Sequence, residues 1–302
     1  ISEYAPHLHH IYITGDRNTD LTHLTKLQHL RSVALNGKYE HGKWECATTP
    51  FQHLPRLESL FAHAPTALTD VEPLRTLSLQ HITIGNPDDT HNIAALREIQ
   101  TLASVTFSSG LPEVPIRETL APSVQHLTIR DNPSLSDIRG FLHLEETSIR
   151  TLTLVETPNI DALDGIEDSG APIEEIRFIG PSACGIVDLS PITRLSDLTR
   201  LSLEQPTAFH NRAAINALEK LTELDIHPES PQSDVLPLPR WLAHHPSLRT
   251  IRVMGRPILD LTELAGAEDL TIERRYFAPK RTIGADKLGP GSRVIRSPRP
   301  RY

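Results

Sequence analysis

Apolar residues recur along this chain in one short pattern, apolar-x-x-apolar-x-apolar, from one end almost to the other. The first copies are Leu8-Ile11-Ile13, Leu30-Val33-Leu35, Leu57-Leu60-Ala62, Leu79-Ile82-Ile84, Leu102-Val105-Phe107 and Val124-Leu127-Ile129. The pattern continues as Ile149-Leu152-Leu154, Ile173-Ile176-Phe178, Leu198-Leu201-Leu203, Leu221-Leu224-Ile226 and Leu248-Ile251-Val253, and ends in a weaker Ala267-Leu270-Ile272. The last anchors lie 22, 27, 22, 23, 22, 25, 24, 25, 23, 27 and 19 residues apart. A fixed period of this size is the mark of stacked supersecondary units. Within each copy, the x-apolar-x-apolar alternation predicts a short strand with two side chains inward and its neighbours outward. Between strands lie further apolar sets, such as Leu21-Leu24-Leu27 and Leu189-Ile192-Leu195, that predict a return segment. Ser190 and Pro191 read there as N-cap and first helical position.

The best-formed copy, Val124-Gln125-His126-Leu127-Thr128-Ile129-Arg130-Asp131-Asn132, resembles the signature of leucine-rich repeat proteins, and the resemblance covers about residues 7 to 273. It implies an α/β solenoid of about twelve repeats, with parallel strands on its concave face. One departure stands out. The family's ladder asparagine is matched only by Asn132; the equivalent positions elsewhere include Asp16, Lys38, Pro65, Gly110 and Arg256. Turns without it need backbone partners or water, and loops of unequal length are expected. Arg-rich repeats joined by segments such as Val187-Asp188-Leu189-Ser190-Pro191-Ile192 are similar to the C-terminal repeat regions of bacterial NACHT-type signalling ATPases. In those, repeats sense a ligand and an upstream nucleotide-binding module switches state.

Composition changes this picture at the ends. The chain starts at Ile1 and holds one methionine, Met254, so an upstream segment is expected to precede it and cover the first repeat. Residues 274–302 carry nine basic residues against the single acid Asp286, a net of +8, which leaves −16 of the overall −8 on residues 1–273. That stretch reads as a cap, with Tyr276 and Phe277 over the last repeat, followed by a loosely ordered Pro/Gly tail. No run approaches 18 apolar residues, so no membrane-spanning helix is expected. Two cysteines, Cys46 and Cys184, fit a reducing, cytoplasmic setting.

Candidate chemistry is thin. Gly37 to Lys43 matches G-x-x-x-x-G-K, but Trp44 stands where a phosphate loop needs a hydroxyl. His7, His9 and His10 cluster, and His41 shares a loop with Cys46, without the paired spacing zinc requires. No catalytic spacing is present, and neither an enzyme nor a cofactor is expected.

The outward strand positions remain. They carry aromatics and histidines first, then a Ser/Thr stretch, then charge. Aromatic and arginine side chains dominate protein interfaces. The candidate partner-binding residues are Tyr12, Phe61, His63, His81, His126 and Arg130 toward the start, and Arg177, Arg200, Glu204, Asp225, His227 and Arg252 toward the end. The charged third is expected to matter most. The expected function is recognition of a protein ligand on the concave face, as the sensor region of a larger signalling protein. The alternative is a free-standing adaptor or a secreted effector that binds host proteins. Nucleic acid is expected to bind only weakly, through the basic tail.

Overall fold

Each predicted strand forms, and together they build one parallel sheet. The computed structural model describes residues 7–38, 42–112, 116–133, 135, 147–157, 159, 163, 165–166, 170–180, 187–204, 209–227, 235–254, 258–275 and 282–296. The sheet has thirteen strands, each hydrogen-bonded to the next in chain order. They are β1 (His10–Gly15), β2 (Ser32–Gly37), β3 (Ser59–His63), β4 (His81–Gly85), β5 (Ser104–Ser108), β6 (His126–Arg130) and β7 (Thr151–Val155). After these come β8 (Glu175–Ile179), β9 (Arg200–Glu204), β10 (Glu223–His227), β11 (Thr250–Met254), β12 (Thr271–Arg275) and β13 (Arg293–Arg296). Register is uniform: Leu127 lies beside Val105 and Leu152, and Leu201 beside Ile176 and Leu224. The two inward residues of each strand from β1 to β11 therefore stack into continuous apolar rows, buried throughout the interior repeats.

The return segments are mostly 3-10 helices; among the described residues the α-helix is the short Ile116–Thr119. Their anchors are spaced three apart, the 3-10 period, so side chains at i and i+3 fall on one edge. The same spacing organises the backbone. The amide of Leu24 donates to the Leu21 carbonyl, Leu27 to Leu24 and Leu30 to Leu27, at 2.8 to 3.0 Å. Ile192, Leu195 and Leu198 repeat the chain of bonds, starting from Leu189. Each anchor thus buries its side chain and satisfies its amide in one step.

Capping corrects the sequence reading at Ser190. Leu189 is the N-cap, and the Asp188 Oδ1 accepts from the Ser190 amide at 2.8 Å. Asp20, Asp70 and Asp260 do the same for Thr22, Glu72 and Thr262. Two repeats place a left-handed asparagine there instead, and it reaches back along the stack: Asn92 donates to Asp70 and Asn211 to Asp188.

The missing asparagine ladder is replaced by backbone geometry. The residue that follows several strands takes a left-handed conformation: Asn86, Ser109, Asp131 and Glu156 have φ of 50 to 62°. Each then donates its amide to the last carbonyl of the next strand, as Asp131 does to Val155 and Glu156 to Ile179. Gly85 is required for space, since a Cβ there would collide with the Thr66 carbonyl.

The long sheet is continuous at strand spacing. Among the described residues the opposite side has two- and three-stranded patches, such as Trp44–Cys46 with Thr66–Leu68, and 3-10 turns that need more room. The stack therefore curves with the long sheet on its concave side.

The end of the solenoid differs from expectation twice. Val253 lies beside Arg274, not Ile272, so the last copy is two residues later than Ala267-Leu270-Ile272 suggests. Arg274 occupies an inward position, 4% exposed, and donates to Thr282 Oγ1 at 2.8 Å. Burial and the nearby Arg296 push its guanidinium below the usual arginine range. Where a loose tail was expected, Thr282–Ile283 extends an outer patch and β13 pairs with β12, with Val294 beside Ile272. The proposed capping residues Tyr276 and Phe277 lie outside the described residues.

Candidate functional site

All twelve candidate residues sit on the outward side of the long sheet, because strand alternation leaves them there. The structure divides them into two regions with different chemistry.

In the first region, Tyr12 on β1 is 62% exposed and its hydroxyl accepts from Asn36 Nδ2 on β2 at 2.8 Å. Ala34 lies between Tyr12 and Phe61 in register, which leaves a shallow gap between the two rings. Phe61 stacks on His63 along β3, with centroids 6.3 Å apart and planes 6° from parallel. His81 and His126 are exposed on β4 and β6, with Ser104 of β5 between them. Arg130 is half-buried and pairs with Asp131 at 3.2 Å. Burial, then the charge of Arg130, lowers the His63 pKa. Thr83 and Thr153, expected as an exposed hydroxyl surface, are buried by the concave crowding, whereas Thr106 and Thr128 stay partly open.

The second region is one ion-pair network across β8 to β12. Arg177 forks onto Glu175 at 2.8 and 2.9 Å. Arg200 reaches Asp225 at 3.0 Å, and its Nε faces Glu175 and Glu223 at 3.2 and 3.4 Å. Arg252 holds three carboxylates: Glu223, Asp225 at 3.3 Å and Glu273 at 2.9 Å. Arg275 closes the row on Glu273 at 3.0 Å. Four arginines thus meet four carboxylates, and the network is neutral as a whole. It is also shielded, with the side chains of Arg252, Asp225 and Glu273 exposed by only 14, 11 and 12%. The hydrogen bond from Arg252 holds the Glu223 carboxyl below its usual range, and the same bond raises the Arg252 pKa. Glu204 accepts from the Gly180 amide, and burial lowers the His227 pKa despite Glu204 and Asp225 nearby.

The network places Arg177, Arg200 and Arg252, expected as exposed residues, in contact with the chain's own carboxylates, with Arg177 still 41% exposed and Arg252 only 14%. It also adds Glu273 and Arg275, which the sequence missed because the last copy was read two residues early. Asn36 was missed too; its signal was a lone amide at an outward position beside Tyr12.

The remaining motifs have structural roles. Trp44 is buried in a strand and Lys43 pairs with Asp89 at 2.7 Å, so the motif runs into a strand where a phosphate loop runs into a helix. Residues 39–41, including His41, lie outside the described residues, as does Cys184. Burial raises the Cys46 thiol to about 12, which keeps it protonated. Among the described residues no group of three His, Cys, Asp or Glu could hold a metal ion, and no helix is long and apolar enough to cross a membrane.

No protein-family model and no curated protein matches the chain. Among solved structures, TLR13 in a TLR13–ssRNA13 complex has a TM-score of 0.53 at 14% identity, covering 96% of this chain and 50% of that one. An internalin (inlF) from Listeria monocytogenes gives 0.48 at 15%, with 93% and 84% covered. A leucine-rich repeat protein from Leptospira interrogans gives 0.48 at 15%, with 97% and 69% covered. The chain is a leucine-rich repeat solenoid; at these identities the likeness is one of fold.

Proposed function

We propose that this solenoid is a recognition module that binds a protein ligand on its concave face, as the sensor region of a larger signalling protein. The observation that carries the reading is the pair of positioned aromatics. Tyr12 is held by Asn36 and Phe61 by its stack on His63, and Tyr12 stays largely in water. Pre-positioned aromatic surface gives contact area at little entropic cost, which is what an interface anchor needs. The charged third is assigned a structural role, since its arginines are already engaged with the chain's own carboxylates. The TLR13 structure contains single-stranded RNA; here a chain of net charge −8 argues for protein over a polyphosphate.

A photo-crosslinking side chain at Ala34, between the two rings, tests the reading. It should capture a partner that the same group at Glu219, exposed on a return segment, does not. The purified partner should then bind Tyr12→Ala/Phe61→Ala at least tenfold more weakly. Unchanged affinity would overturn the assignment. The sensor context further expects a nucleotide-binding module encoded in the same polypeptide.

A further inference from the structure

The outward positions of β1 to β7 contain no carboxylate. Their charge comes from one arginine, Arg130, and four histidines: His10, His63, His81 and His126. The other outward residues there are mainly Ser and Thr, with Tyr12 and Phe61. This contrasts with the chain as a whole, in which acids outnumber bases 38 to 30, and with β8 to β12, which alternate both signs.

Among the described residues, carboxylates beside this face are engaged within the chain. Glu58, just before β3 and beside His81, pairs with Arg31 at 3.1 Å. Glu174, beyond β7, pairs with Arg150. Asp131 pairs with Arg130 and shares a hydrogen bond with Glu156. His81 is flanked in register by Ser59 and Ser104, and His126 by Ser104 and Thr151. His10 lies beside Ser32, and His63 beside Asn36 with Arg130 acting on it. No counter-charge of the chain's own therefore sits on these histidines among the described residues. Hydroxyls stand between them, able to donate to an incoming oxygen.

We propose that β1 to β7 dock an acidic segment of a protein partner, one that carries spaced carboxylates and an aromatic or apolar side chain, and that mild acid strengthens the complex. This rests on the concave-face reading above and names its partner's chemistry. Histidine is the side chain that gains charge between pH 5 and 8, so a face with histidines and no carboxylate at its outward positions responds to mild acid, while Arg130 is already paired with Asp131. Charge complementarity of that kind sets partner choice and association rate. Hydroxyl and aromatic contacts supply affinity that does not depend on pH. A dense polyphosphate is the poorer fit, because the one arginine of the face is already paired with Asp131 within a net-negative chain.

The test uses the whole chain and a labelled (Asp-Ser-Asp-Tyr)4 peptide, followed by fluorescence anisotropy at pH 6.0 and 7.5 in 50 mM salt. Binding should be at least tenfold tighter at pH 6.0. His81→Gln/His126→Gln should remove most of that difference, while Tyr12→Ala should weaken binding at both pH values alike. A (Lys-Ser-Lys-Tyr)4 peptide should not bind. Peptide binding that is pH-independent, or that survives the double histidine variant, would overturn the proposal. So would tighter binding of a 20-nucleotide single-stranded RNA, which would make the partner a polyphosphate. Absence of peptide binding while the Ala34 crosslink persists would sink this inference and leave the concave-face reading standing. Loss of both would remove that reading as well.

Discussion

The two halves of the long sheet share strand length, register and inward packing, and they differ in what their outward residues do. From β8 to β12 the arginines and carboxylates bind one another across five strands. From β1 to β7 the outward residues are neutral or histidine, apart from Arg130, and their largest ring stays in water. Ordered arginine on a solenoid face is thus no sign of a ligand site by itself. For Arg200 and Arg252, whether the charge is engaged or available depends on residues one repeat away, 21 to 29 positions distant for Arg252, while Arg177 and Arg275 are held by a carboxylate two residues back on their own strand.

The largest effects should fall equally on both halves. Leu127→Ala in β6 and Leu201→Ala in β9 each remove a fully buried anchor, and each should cost about 2–5 kcal/mol in urea unfolding. A cost for one several times that of the other would show that the halves do not share one core.

Next is the end of the stack. Truncation after Ala278 removes β13 and uncovers Ile272 together with the inward side of β12. The truncated chain should melt several degrees lower, with hydrogen exchange in β12 rising more than in β2. An unchanged melting temperature would mean that β13 is dispensable.

Acid should separate the regions through groups whose pKa folding lowers. His245 is buried; its Nδ1 accepts from the Leu248 amide at 3.1 Å and Nε2 meets the Ile215 carbonyl at 3.0 Å. Burial lowers its pKa, so the unfolded chain takes the proton more readily. Its contribution is intact above the ordinary histidine value of about 6.5 and is lost as pH falls below that. His245→Gln should flatten the pH dependence of stability between 7 and 5.5. Glu223 acts lower, since its contribution is full above about pH 4.3 and is lost as pH falls through its depressed folded value.

Much of the fold was legible in the sequence because the inward rows need only alternation and period. Eleven of the twelve anchor sets coincide with the strands in register. The twelfth slipped because an apolar Leu270 precedes the strand while Arg274 fills an inward position, against the usual rule that arginine stays out of cores. The 3-10 turns were present as spacings of three at Leu21, Leu24 and Leu27, which a helix of 3.6 residues per turn would not sustain. The candidate site was harder. Alternation assigns Arg252 to the outer face, but that it faces Glu223, Asp225 and Glu273 depends on the repeat-to-repeat register and on side-chain length.

The division between an engaged half and an available half is tested most directly by urea unfolding at pH 7 of Arg252→Ala against Tyr12→Ala. Loss of Arg252 leaves three carboxylates close together without their shared cation, at sites with little water. It should cost about 2–3 kcal/mol, below the range for fully buried pairs and above that for exposed ones. Loss of Tyr12, a ring mostly in solvent, should change stability by less than about 0.5 kcal/mol. Equal small losses would show the network to be ordinary surface charge, free to meet a partner, and a larger loss at Tyr12 would mean that the exposed ring is structural; either result contradicts the account.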